Sequence, residues 1–181
     1  MIETWRAMES LVEKGLTRNI GVANFNVQGV RDILSYARIP PAVLQVELHP
    51  YNTQAKLVRF CHDEGIAVTG FSPLGSGSYQ ILGWTKPHDS VLQNDVIVQI
   101  AEKHNVTPAQ VVLRWAVQRG TSAVVKTSNF ERMKENMHSL TWEDGLTHEE
   151  MRLIDGLNQN RRFNDPGVFT EGMGSFYPIY E

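Results

Sequence analysis

The chain has 181 residues, 41% hydrophobic and 20% charged, with a formal net charge of −3. That length fits one domain with a real core, burying roughly 70% of its unfolded surface. The mildly acidic balance argues against a binder that relies on phosphate contacts, so no nucleic-acid partner is expected.

The first residues predict a helix. In TWRAMESLVEKG, Trp5, Met8, Leu11 and Val12 fall on one face, and Gly15 suits a left-handed stop. A short strand is expected around residues 20–22. A helix with Val27, Val30, Ile33 and Leu34 on one side follows and ends at RIPP. AVLQVEL (42–48) reads as a second strand. A helix over about 53–64 turns Leu57, Val58 and Cys61 inward, and IAVTGF (66–71) is a third strand. Then comes SPLGSGSYQILGWTKPHDS, rich in Gly, Ser and Pro. Irregular stretches of that length in a compact domain are usually functional or mobile.

Two helices are expected next, over about 95–104 and from Thr107-Pro108, a cap followed by proline at the first helical position. SAVVK (122–126) is a fourth strand. Ser128-x-x-Glu131 and Thr147-x-x-Glu150 read as capping boxes for two more helices. The tail from 158 to 181 has turn residues and aromatics without a period, and reads as a loop packed over something.

Apolar β-branched strands alternating with helices predict an α/β fold with a parallel sheet. Four βα units, entered through a helix, amount to half of an eight-fold (β/α)8 TIM barrel, with extra helices and a C-terminal loop. A half barrel has two unpaired strand edges and an uncovered inner face. The lone cysteine, Cys61, excludes an intramolecular disulfide and a Cys-rich metal site. No run of about 18 apolar residues and no signal-peptide pattern occurs, so a soluble, cytoplasmic protein without a membrane partner is expected.

Polar residues gather where the strands end, which is where parallel α/β folds place their sites. Asn24 follows the first strand, Gln45 lies in the second, Ser72 follows the third and Lys126 ends the fourth. The two amides suit pairing with another amide. Phe71 offers a flat face for stacking on a ring. SPLGS supplies hydroxyls and backbone N–H groups suited to phosphate oxygens. Lys126, Thr127, the helix start near Ser128 and Arg132 suit one phosphate, and Glu135 and Asn136, a turn further on, reach toward an attached base. The inventory fits a dinucleotide across a barrel mouth. No GxGxxG supports a Rossmann site.

The motifs GVANF, LQVELHPY, FSPLGS, TPAQVVLRWAVQRG, VVKTSNFERMKEN and RFNDPGVF occur in this order over nearly the whole chain. Together they resemble the C-terminal half of the aldo-keto reductases, the xylose-reductase-like (aldose/aldehyde reductase) branch in particular. The resemblance implies a single partial reductase domain over 1–181. It also implies NADP(H), or NAD(H), as cofactor and an aldehyde or aldose as substrate. Asn24 and Gln45 would bind the nicotinamide carboxamide, and Phe71 would stack on its ring. Ser72, Leu74 and Ser76 would hold the pyrophosphate. Lys126, Thr127 and Arg132 would take the 2′-phosphate, and Glu135 and Asn136 the adenine. The tail over 158–181 would wall the substrate pocket.

The chain departs from the family pattern at three places. Ala23 stands for the motif serine, which removes one hydrogen bond worth about 1 kcal/mol. Phe71 stands for a tyrosine, and Val124-Val125 for Ile-Pro. The family's catalytic tetrad of Asp, Tyr, Lys and His precedes the GVANF strand. None of Tyr36, Tyr51, Tyr79, Tyr177 and Tyr180 falls at a matching position, and His49 reads as structural. The expectation is a cofactor site without an identifiable acid. Its partner would be an N-terminal half or a second copy across the open edges. A non-catalytic nucleotide- or partner-binding half barrel, or a fragment without function, are the alternatives.

Overall fold

The computed structural model describes residues 1–75, 77–165 and 167. Its centre is a four-stranded sheet in the order β1 (Gly21–Ala23), β2 (Val43–Glu47), β3 (Ala67–Phe71), β4 (Ser122–Ala123). All three pairings are parallel, with Ala23, Gln45, Thr69 and Ser122 in register across the sheet. Parallel neighbours require crossovers, and helices supply them. The crossovers carry α2 (Val27–Tyr36), α3 (Ala55–Asp63), and α4 (Gly77–Gln80) with α5 (Asp95–His104) and α6 (Pro108–Gln118), while α1 (Ile2–Glu13) precedes the sheet and α7 (Phe130–Thr141) and α8 (His148–Asp155) follow it. The architecture is a partial (β/α) barrel, as the alternation predicts.

One face of the sheet is dry and the other is open except where the C-terminal segment covers Glu47. Alternate side chains point to opposite faces. Leu44, Val46, Leu48 and Val68 point outward and are buried under the helices with Cys61, Ile97, Val111 and Trp115. Gln45 and Ala67, on the inner face, are exposed, and Thr69 there bonds Ser122 Oγ at 2.8 Å. A smaller core of Trp5, Ile20 and Ile33 fastens α1 to α2. Trp5 also donates to the Ile39 carbonyl, and buried Glu9 accepts the N–H groups of Arg38 and Ile39. Among the described residues, no helix is long and apolar enough to cross a membrane.

Several local signals act as the sequence predicts. Gly15 takes φ +68° and ends α1, with Gly15 and Leu16 N–H bonded to the Val12 and Leu11 carbonyls. Thr107 and Thr147 cap α6 and α8 reciprocally with Gln110 and Glu150.

Two expectations need correction. The fourth strand is shorter than 122–126. Only Ser122 and Ala123 pair, Val124 adds one bond to Gly70, and Val124 and Val125 are exposed, because no described strand lies on their far side. The cap of α7 is Asn129 and not Ser128. Asn129 Oδ1 accepts the N–H groups of Glu131 and Arg132, and the short amide side chain one residue later is the better-placed acceptor.

Candidate functional site

The fourth strand end and the start of α7 build the best-defined part of the site. Lys126, Thr127, Arg132, Glu135 and Asn136 all line one cavity of about 310 Å³, together with Leu74, Leu92 and the start of α6 at Thr107, Pro108 and Ala109. The helix explains the grouping: Arg132, Glu135 and Asn136 stand three and four residues apart on one face. Gln110 fixes the distance between the two helices, since its Nε2 donates to the Glu135 carbonyl at 3.0 Å. Lys126 and Arg132 are exposed, and neither has a carboxylate within ion-pair distance among the described residues. Two unpaired cations beside a cavity attract an anion. The helix start contributes less than the sequence suggests, because Asn129 already occupies two of its N–H groups.

The other predicted residues lie along the strand ends. Asn24 has φ +61°, and its N–H donates to the Gln45 carbonyl at 2.9 Å, so the two amides stand on adjacent strands. The Asn24 side chain lines a larger groove of about 840 Å³ whose lining does not include Gln45. Gln45 itself is exposed on the inner face. Phe71 ends β3 opposite Glu47 and is half-buried. Ser72, at φ +50°, opens a turn closed by the Gly75 N–H on its carbonyl at 2.9 Å, and Leu74 turns toward the smaller cavity. Ser76 lies outside the described residues. The structure thus brings Leu74 and the five residues of the fourth strand and α7 together. It leaves Asn24, Gln45, Phe71 and Ser72 spread along the rim.

The tail meets this rim. Gln159 and Arg161 donate their N–H groups to the Tyr51 carbonyl at 3.0 Å, and Asn158 Oδ1 accepts from Thr53 N–H at 3.0 Å. Arg161 pairs with Asp89 at 2.8 Å. Arg161 and the Lys86 N–H hold the Asp89 carboxyl below its ordinary range. Glu47 is fully buried, and its carboxylate accepts from Phe163 N–H at 2.6 Å and Asn164 N–H at 3.1 Å, with His49 Nε2 at 2.9 Å. Residues 168–181 of the expected pocket wall, and Pro166, lie outside the described residues.

The sequence of the Aldo/keto reductase family matches residues 1–159. The chain belongs to the aldo/keto reductase family. An NAD(P)H-dependent D-xylose reductase of Aspergillus niger is 47% identical over 180 residues, which cover 98% of this chain and 54% of that protein. A 4-dihydromethyl-trisporate dehydrogenase of Mucor mucedo is 44% identical over 175 residues, covering 96% and 54%. The solved aldose reductase of Schistosoma japonicum superposes with a TM-score of 0.82 at 33% identity, over 99% of this chain and 54% of that one. The chain therefore spans about half the length of the relatives it matches.

Within this aldo/keto reductase chain, several participants escape sequence reading. Leu92 and Ala109 show no local signal, although the Thr107-Pro108 cap marks a helix start that could face a ligand. Glu47 sits inside a quoted motif, but its partners lie 116 and 117 residues away. Tyr79, in the irregular stretch, bonds Ser72 Oγ at 2.7 Å. Burial pushes the phenols of Tyr79 and Tyr36 up. That is opposite to the lowering a carbonyl-protonating tyrosine needs near neutral pH.

Proposed function

We propose that this chain binds NADP(H) and supplies the cofactor grip of a carbonyl-reducing aldo/keto reductase acting on aldehydes or aldoses. The observation that carries the reading is the single cavity lined by Lys126, Thr127, Arg132, Glu135 and Asn136, whose two cations meet no carboxylate among the described residues. The residues fit the group: ammonium, guanidinium and hydroxyl for a 2′-phosphate, and Leu74, Leu92 and Pro108 for the faces of a purine. Asn24 and Gln45 are assigned to the nicotinamide amide, Phe71 to its ring, and Ser72, Leu74 and Ser76 to the pyrophosphate. When bound, the cofactor would supply a hydride. The chain's own residues would bind it at the strand ends and orient the nicotinamide. Relatives named as D-xylose reductases support an aldose-class substrate.

The reading treats residues 1–181 as one partial reductase domain, with 158–181 walling the substrate pocket. The free, buried Cys61 fits a reducing compartment such as the cytoplasm. Burial raises the phenols of Tyr36 and Tyr79 instead of lowering them, and the chain by itself is assigned cofactor binding without turnover.

The test is a pair of isomers. Adenosine 2′-monophosphate and 5′-monophosphate carry the same groups, and only the first presents a 2′-phosphate. Calorimetric titration should show tighter binding of the 2′ isomer. Equal affinities would contradict the assignment of Lys126 and Arg132.

A second reading has its own observation. Phe130, Met133, Met137 and Leu140 form an exposed stripe on α7, beside exposed Val124 and Val125 at the sheet edge. Such a stripe favours a covering partner, either the complementary half of a reductase barrel or a second copy. Light scattering separates them: a dimer of the pure chain supports the second copy, and a monomer that binds a separately supplied half supports the first.

A further inference from the structure

The smaller cavity takes the adenine end of the cofactor, but the turn assigned to its pyrophosphate has a support of its own. Phe163 is 4% exposed, and Glu47 pins its backbone N–H at 2.6 Å. The ring stacks on His49, with centroids 4.8 Å apart and planes 28° apart, and faces Tyr79 at 6.4 Å and 25°. Its edge fills the space where a side chain at Gly75 would go. A Cβ built there would lie 3.2 Å from Phe163 Cε2 and 2.8 Å from Val91 Cγ2. Tyr79 carries the contact onward, since its hydroxyl lies 2.7 Å from Ser72 Oγ. Phe163 thus reaches the Ser72–Gly75 turn at both ends, by filling the space a side chain at Gly75 would need and through Tyr79 at Ser72.

We infer that Phe163 is a positioning residue for the pyrophosphate turn, so that docking of the 158–165 segment and binding of the full dinucleotide are energetically coupled. The inference rests on the NADP(H) reading. Its physical basis is the rigid stack: an aromatic ring held by a buried carboxylate has little freedom, and the Gly75 backbone has no side chain to buffer it. A segment assigned to the substrate wall then also tunes the cofactor's middle. By linkage, the cofactor must in turn strengthen the segment's docking.

The experiment uses the full chain, with NADP⁺ and adenosine 2′-monophosphate titrated into the parent, Phe163→Leu and Phe163→Tyr. The monophosphate lacks the pyrophosphate and meets the turn only at Leu74, so it reports on the Lys126–Arg132 cavity. Phe163→Leu should weaken NADP⁺ by about threefold to tenfold, leave the monophosphate unchanged, and be rescued by Phe163→Tyr, which keeps the ring. Hydrogen exchange should show NADP⁺, but not the monophosphate, slowing the amides of Phe163 and Asn164. Unchanged NADP⁺ affinity in Phe163→Leu would overturn the inference. So would equal weakening of both ligands, which would make the ring a general support of the fold. A parent chain that fails to bind the monophosphate would instead sink the cofactor reading underneath.

Discussion

The N–H of Phe163 donates to Oε1 of Glu47 at 2.6 Å, joining residues 116 apart in the chain. With the Asn164 N–H on Oε2 at 3.1 Å, one buried carboxylate holds two successive amides of the C-terminal segment. Removing it leaves both donors without that acceptor, at about 1–3 kcal/mol for each such group. Glu47→Ala should therefore cost about 3 kcal/mol in denaturant unfolding. It should also expose the bonds after Arg161 and Arg162 to trypsin. An unchanged digestion pattern would show that Gln159, Arg161 and the Tyr51 carbonyl hold the segment without Glu47.

Lys126 and Arg132 should contribute separately to phosphate recognition. Each offers one charge-assisted bond worth about 1.5–3 kcal/mol, or roughly tenfold to a hundredfold in affinity. Lys126→Ala and Arg132→Ala should each weaken adenosine 2′-monophosphate by at least the lower figure and leave the 5′ isomer nearly untouched. Calorimetry reads both. A variant that weakens the two isomers equally would place its residue outside the 2′-phosphate contact.

Glu150 links stability to pH. Burial pushes its carboxyl up, but hydrogen bonds from Lys103, Thr147 and His104 outweigh that and bring it down from 4.5 to about 2. A carboxyl lowered by folding contributes stability that is fully present above its unfolded value. The contribution fades as pH falls through the folded one. The chain should therefore lose on the order of 3 kcal/mol between about pH 5 and pH 2 from this group. Glu150→Gln should flatten that acid limb in urea unfolding, with little further change above pH 5. A parallel acid limb in the variant would assign the loss to other carboxylates.

Gly75 should resist substitution. It holds φ +75°, a conformation costly for side chains, and a Cβ would meet both Val91 and Phe163. Gly75→Ala should lower the melting temperature by several degrees, about 1–2 kcal/mol. Gly77, where nothing lies within 4 Å of an added Cβ, is the control. Equal effects at the two positions would remove steric contact as the cause.

Legibility in the sequence follows the range of the interaction. The second and third strands were readable within a residue or two, because buried β-branched runs between turn residues have few other solutions. The fourth reads longer than it is: its composition says strand, but pairing needs a neighbour, and β4 has one on a single side among the described residues. The cap at Asn129 lies one residue past the one the sequence suggests, since Ser128 and Asn129 are both good caps and only backbone geometry chooses between them. The stretch after Ser72 hides α4 and two single turns, Pro87–Asp89 and Val91–Gln93, too short to show a period. In the site, Lys126 through Asn136 were legible because one strand end and one helix face carry them. Glu47 with Phe163, and Tyr79 with Ser72, depend on how distant loops fold back, and no local spacing records that.

The proposed grip of this cavity on a 2′-phosphorylated nucleotide predicts different titration curves for NADP⁺ and NAD⁺ added to the chain under identical conditions. The extra charge-assisted contacts predict at least a tenfold preference for NADP⁺, removed for the most part by Arg132→Ala. Superimposable curves for the two dinucleotides would contradict it.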